Sequence, residues 1–299
     1  MFRRDNGRHA EPRRSAVVLD RLDVNDLHFA DEMPAGLEVD LPGRGTAFVR
    51  ISEGPEGAPT VLLVHGLLAT ADLNWSLAMP ALASRFKVVA MDLRGHGRGL
   101  PTRQFTGSEC ADDLAALVRV LGLGPVIVVG YSIGGLVAQL FARRHPELVV
   151  GMVLCATACS FDVPTAKPVF RLAERVARRA PERVRRAAMM AMLAPRSGNC
   201  ARGRWLMAEV RRHDTMAILD ATAEAGRFNS SLWLGESECR AAVIITSDDP
   251  VISAASQREM SKALAGSAVY EVEGDHFACI KRPAEFNAVL MSACVGLAQ

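Results

Sequence analysis

Short, nearly continuous aliphatic runs alternate along this chain with longer segments whose apolar positions return every three or four residues. The runs are Thr60 to Val64, Phe86 to Met91, Val126 to Val129, Leu148 to Cys155 and Ala242 to Thr246, the pattern of strands buried on both faces. Ala71 to Ser84, Gly107 to Leu121, and a segment that begins after Ser132 and runs through Arg144 to a stop at Pro146 have helical periodicity. The chain closes with a helix from Ala254 to Leu264, a strand from Ala268 to Val272 and a helix from Pro283 to about Val295. Strand and helix in strict alternation imply a parallel sheet covered by helices, an α/β fold. Ahead of it, Leu37 to Leu41 and Thr46 to Ser52 flank Pro42-Gly43-Arg44-Gly45, a hairpin signal.

The alternation lapses between about Ser160 and Cys239, where no strand pattern occurs and amphipathic helices dominate. The expected organisation is therefore a tail and lead-in over 1–34, partly disordered, a core of 35–159 and 240–299, and a helical insertion over 160–239. No internal repeat or low-complexity tract is present.

Composition narrows the classes. A chain of 299 residues with 49% hydrophobic content can bury a large core and carry an inserted subdomain. A net charge of only +2 gives no reason to expect nucleic acid as a partner. The seven cysteines are odd in number, scattered and without a Cys-x-x-Cys pair, so they read as reduced thiols and not as a metal site. Met1 to Ser15 holds five arginines and no apolar run, unlike a secretory signal, and no window has the apolar length of a membrane span. The expectation is a cytoplasmic protein without a transmembrane segment.

One stretch carries chemistry. Val126 to Val129 leads into Gly130-Tyr131-Ser132-Ile133-Gly134, a strand, a Gly-x-Ser-x-Gly turn and a helix-forming segment, which lifts a serine hydroxyl onto a sharp elbow at the carboxyl end of the sheet. Serine does not ionise unaided, so it needs a base, and the base needs an acid to hold its tautomer. His276, in Gly274-Asp275-His276-Phe277 after the last strand, is the candidate base. His9, His28, His145 and His213 lie in the tail, before the sheet, at a helix end and in the insertion. Asp249 in Asp248-Asp249-Pro250 is the favoured acid because Pro250 restricts the backbone before it. Asp248 and Asp162 remain open alternatives. The order Ser132, Asp249, His276 is that of the α/β-hydrolase triad.

With these motifs the chain resembles the α/β-hydrolase fold superfamily, in its branch of esterases, enol-lactonases and haloperoxidase-like serine hydrolases. His65-Gly66 resembles that branch's oxyanion motif, Asp92-Leu93-Arg94-Gly95-His96-Gly97 its turn after the fourth strand, and Pro283 with Phe286 its closing helix. The resemblance covers Leu37 to the C-terminus apart from the insertion, and departs at Thr246, where glycine is usual, and at Asp275, where a small residue is. It implies a mostly parallel eight-stranded sheet flanked by helices with a helical cap, and an oxyanion hole made by the backbone N–H groups of Leu67 and Ile133. No metal or organic cofactor is required. The implied activity is cleavage of a small-molecule acyl substrate, an ester, thioester or lactone. Carbon–carbon bond hydrolysis and acyl transfer use the same triad, and a non-catalytic binding protein is the reading from another class. His65 and Arg94 are expected to fix turns by bonding to main chain, and Trp75 and Phe277 to be core.

The insertion is lopsided in charge. Lys167, Arg171, Arg175, Arg178, Arg179, Arg183, Arg185, Arg186, Arg196, Arg202, Arg204, Arg211 and Arg212 face only Glu174, Glu182 and Glu209. Val169, Phe170, Leu172, Val176, Met189, Met190, Met192 and Leu193 supply its apolar side. Such a segment suits a solvated outer face, an anionic substrate group, or peripheral contact with anionic lipid. Its methionines suit an adaptable apolar pocket.

Overall fold

A computed structural model describes residues 33–161, 168–197 and 201–299, with side chains except at 168–171, 194–197 and 201. Asp162, Lys167 and residues 1–32 of the expected tail lie outside the described residues. Met33 is buried, and the Pro34 carbonyl accepts the Arg50 guanidinium at 2.5 Å, so the lead-in is already packed on the core.

The chain runs β1 (Gly36–Leu41), β2 (Gly45–Ser52), β3 (Thr60–Val64), α1 (Ala71–Trp75), α2 (Met79–Ala83), β4 (Lys87–Met91), α3 (Gly107–Val120), β5 (Val126–Tyr131), α4 (Ile133–Arg144) and β6 (Val149–Cys155). Four helices follow: α5 (Pro168–Arg179), α6 (Glu182–Ser197), α7 (Ala201–Val210) and α8 (Thr215–Arg227). Then come β7 (Arg240–Thr246), α9 (Ala254–Ala263), β8 (Ala268–Val272), α10 (Ala278–Lys281) and α11 (Pro283–Ala298). The strands form one eight-stranded sheet in the order β1-β2-β4-β3-β5-β6-β7-β8, parallel from β4 to β8 and antiparallel at the β1–β2 and β2–β4 pairs.

Alternate residues of each central strand feed two cores. Val126 and Val128 of β5 pack with Leu114, Leu117, Leu136 and Phe141 of α3 and α4, while Ile127 and Val129 pack with Trp75, Leu82, Phe286 and Leu290 on the other face. Burial of both faces is why these strands read as unbroken apolar runs. The single helix expected over Ala71 to Ser84 is instead α1 and α2. Pro80 sits in the first turn of α2, where its missing N–H costs nothing, whereas inside one continuous helix its ring would clash with the preceding turn.

Candidate functional site

Ser132 joins β5 to α4 with φ 54 and ψ −120, a conformation that costs a non-glycine residue about 1–3 kcal/mol and survives only where its surroundings hold it. Its N–H donates to the Cys155 carbonyl of β6 at 2.9 Å, and its carbonyl accepts the Gly135 N–H at 2.9 Å. The flanking glycines are steric necessities. A Cβ on Gly130 would lie 2.3 Å from the Gly134 carbonyl oxygen, and one on Gly134 would lie 2.3 Å from that of Val64. A serine at a helix N-cap ordinarily bonds back to the helix amides. Ser132 makes no such bond, and its hydroxyl turns to His276 instead.

His276 Nε2 lies 3.0 Å from Ser132 Oγ, and its Nδ1 lies 2.7 Å from Asp249 Oδ2. The Tyr131 hydroxyl donates to the His276 carbonyl at 2.9 Å, tying the loop after β8 to the strand that carries the serine. Asp249 is buried, and its Oδ1 accepts the Val251 and Ile252 amides at 2.8 and 2.9 Å. Burial opposes its ionisation, but the His276 bond, the Ile252 amide and the Thr246 hydroxyl together hold its pKa below the ordinary carboxylate value. The three side chains thus form one hydrogen-bonded line from hydroxyl through imidazole to carboxylate.

The loop after β3 faces the same hydroxyl: a Cβ on Gly66 would lie 3.3 Å from Ser132 Cβ. His65 is fully buried, and burial pushes its pKa down to about 3, so it is neutral. Its Nε2 accepts the Leu93 N–H at 2.8 Å, which leaves the proton on Nδ1 to donate to the Gly66 carbonyl at 2.8 Å. Asn74 Oδ1 accepts the Gly66 N–H at 2.9 Å. Both peptides beside Gly66 are therefore pinned. In the trans Gly66–Leu67 peptide the N–H points away from the carbonyl that His65 holds. The Ile133 N–H opens α4, where amides have no partner within the helix and the dipole favours negative charge.

The family model for the alpha/beta hydrolase fold matches residues 59–283, three quarters of the chain, from β3 to the first residue of α11. The chain belongs to the alpha/beta hydrolase fold family. It is 37% identical over 111 residues to the Lipase LipV of Mycobacterium tuberculosis, a match covering 36% of this chain and 41% of that protein. It is 37% identical over 103 residues to the pimeloyl-[acyl-carrier protein] methyl ester esterase of Neisseria meningitidis, covering 34% and 38%. The matched stretches span well under half the length of such curated relatives. Among solved structures, the enol-lactonase of Burkholderia xenovorans superposes with a TM-score of 0.72 over 86% of this chain and 98% of its own, at 21% identity, a likeness of fold.

Within this hydrolase fold the alternatives for the acid separate. Asp248 is exposed and accepts from the Ser247 hydroxyl, so Asp249 is the carboxylate that the described residues bring to His276. Thr246, a departure from the family pattern, donates its hydroxyl to Asp249 Oδ2 at 2.8 Å and is held in turn by the Gln257 amide at 2.9 Å. Asp275, the other departure, closes a local turn by accepting the Phe277 N–H at 2.9 Å and pairs with Lys281, away from the serine. Two structural expectations are corrected. Arg94 fixes its turn through the buried Asp113 carboxylate, at 2.6 and 2.7 Å, and not through main chain, because that carboxylate lies within reach on α3. Phe277 is 45% exposed beside His276 and is not core, whereas Trp75 is fully buried.

Asn74 and Gln257 escaped the sequence reading, because each acts across a loop on a backbone group and leaves no periodic trace. The insertion reaches the site too. Met189, Val210 and Ile218 pack with Leu73 and against Leu67 and Leu68 of the loop after β3, joined by Met190, Leu193, Trp205 and Leu206. Polar ties hold it there: the Gly97 N–H donates to His213 Nδ1 at 2.8 Å, the Phe105 N–H donates to Asp220 Oδ2 at 3.3 Å, and buried Glu209 lies 3.5 Å from Arg98.

Proposed function

We propose that this chain is a serine hydrolase that cleaves a small to medium, largely apolar carboxylic ester, thioester or lactone through an acyl-enzyme. The observation that carries the reading is the hydrogen-bonded line Ser132, His276, Asp249. Ser132 Oγ attacks the acyl carbonyl while His276 Nε2 takes its proton, and Asp249 holds Nδ1–H and stabilises the imidazolium that forms. The tetrahedral oxyanion is met by the Leu67 and Ile133 N–H groups, the first aimed by His65 through the Gly66 carbonyl. His276 then returns the proton to the leaving group, and water, activated by the same imidazole, releases the acyl group.

We take 35–159 and 240–299 as the core that holds this machinery and 160–239 as a cap that shapes the substrate. Support for an apolar acyl group comes from Met189, Met190, Leu193, Trp205 and Leu206 beside Leu67, since flexible thioethers and an indole suit irregular hydrocarbon. Relatives named as a lipase and a methyl ester esterase fit the same chemistry. The described cysteines are free thiols, consistent with a reducing, cytoplasmic setting, and no helix among the described residues is long and apolar enough to cross a membrane. A series of p-nitrophenyl esters of increasing acyl length tests the reading. Turnover that Ser132→Ala abolishes is expected, and absence of turnover across the series contradicts it.

A further inference from the structure

Among the described residues, the contacts of α5 and α6 lie on one side of each helix. On α5, Arg178 reaches Asp220 at 2.6 Å and Glu174 at 2.9 Å, which seats that face on α8. At 100° per residue, Leu172, Arg175, Val176 and Arg179 fall within an arc of about 100° on the opposite face. All four are exposed, Leu172 and Val176 at 61% each. On α6, Met189 is buried against the core loop, while Val184, Ala187, Ala188 and Ala191 share the outward face and Arg183 flanks it. The carboxylates of these helices are already engaged, Glu174 by Arg178 and Glu182 by Arg186. An outward helix face in water is ordinarily polar with charges of both signs. These two present aliphatic side chains and arginines only.

We propose that the outer faces of α5 and α6 dock on an anionic phospholipid surface. Aliphatic side chains at the acyl boundary with arginines reaching back to the phosphates is the arrangement of an interfacial helix. A second copy of this chain fits worse, because an isologous contact would set Arg175, Arg179 and Arg183 against their own like charges. The surface is independent of the chemistry at Ser132, and it would place the insertion beside a bilayer into which apolar esters partition.

The test is co-sedimentation of the full chain, without substrate, on vesicles of phosphatidylcholine alone and on vesicles of equal parts phosphatidylcholine and phosphatidylglycerol. Binding to the mixed vesicles that weakens as salt is raised is expected. Arg175→Gln with Arg179→Gln lowers that partition roughly thirtyfold, at about fivefold per arginine near an anionic surface. Leu172→Ser with Val176→Ser lowers it at every salt concentration, and neither pair shifts the thermal midpoint appreciably. Equal binding to both vesicle types, no binding to either, or a dimer that the same substitutions dissociate would overturn the proposal.

Discussion

Around Ser132, Gly130 and Gly134 leave no room for a single added carbon, and each polar side-chain atom of His65 and Asp249 has a partner. Forty residues on, Leu172 and Val176 stand in the open on a helix that, among the described residues, is held by its other side. The contrast separates two kinds of information. In the sheet, the backbone must pass through a few tight points, so the residues there are forced by sterics, and a strained φ at Ser132 persists because β6 and α4 hold it. In the insertion many apolar residues would fill the same space, so its sequence reflects what it meets and less how it folds.

That contrast can be broken at its strong end first. Asp249→Asn keeps the loop acceptors but presents an amide to His276 Nδ1, favouring the wrong tautomer. A fall in kcat of about 10⁴-fold with the fold retained is expected, measured by ester hydrolysis and circular dichroism. A loss of less than tenfold would mean that Asp249 does not set the histidine.

The joint between the two regions has its own signature. The rings of His65, His96 and His213 lie in a row with centroids 5.3 Å apart, the first pair tilted and the second edge to face, running from the loop after β3 to the turn before α8. Burial lowers all three, His65 to about 3, His213 to about 4, and His96 well below its ordinary value, with repulsion from neighbouring histidines added at His65 and His96 and from Arg186 at His213. A histidine whose folded value lies below its unfolded one leaves stability whole above about pH 6.5 and removes it as pH falls, because the unfolded chain takes up a proton that the native state refuses. At pH 5 that amounts to about 2 kcal/mol for each of His65 and His213, and His96 adds in the same direction. Asp92, which burial raises to about 6, works the opposite way and offsets about 1 kcal/mol there. Denaturant titrations should therefore give a stability lower at pH 5 than at pH 7 by roughly 3 kcal/mol or more. A flat profile would show that these histidines are not buried neutral in solution.

The smallest effect belongs to the insertion. Met189→Ala removes a side chain from the cluster against Leu67 and Leu68 and should lower kcat/KM for longer acyl esters a few-fold more than for acetate, about 1 kcal/mol of differential binding. An equal loss for all chain lengths would assign Met189 to packing alone.

How much of this was legible in the letters follows the same division. The strands and the elbow could be read because burial on both faces forces continuous aliphatic runs, and because glycine alone fits at Gly130 and Gly134. Ser132, Asp249 and His276 could be picked by their places after three strands. The break between α1 and α2 was written in Pro80 and passed over, since the flanking periodicity is helical on both sides. Asn74 and Gln257 could not be found, because their partners are backbone groups that only the folded loops bring near. The packing of α6 and α7 on Leu67 depends on ties such as Arg98 to Glu209, over a hundred positions apart, which no local pattern carries.

The proposed chemistry requires an activated hydroxyl at Ser132, and a fluorophosphonate probe reads that directly. Intact-mass and peptide analysis should find one adduct, on Ser132, formed at neutral pH, missing in Ser132→Ala and slowed at least hundredfold in His276→Ala, since the unassisted hydroxyl is a poor nucleophile. An unlabelled native protein, or labelling that persists in Ser132→Ala, would contradict it.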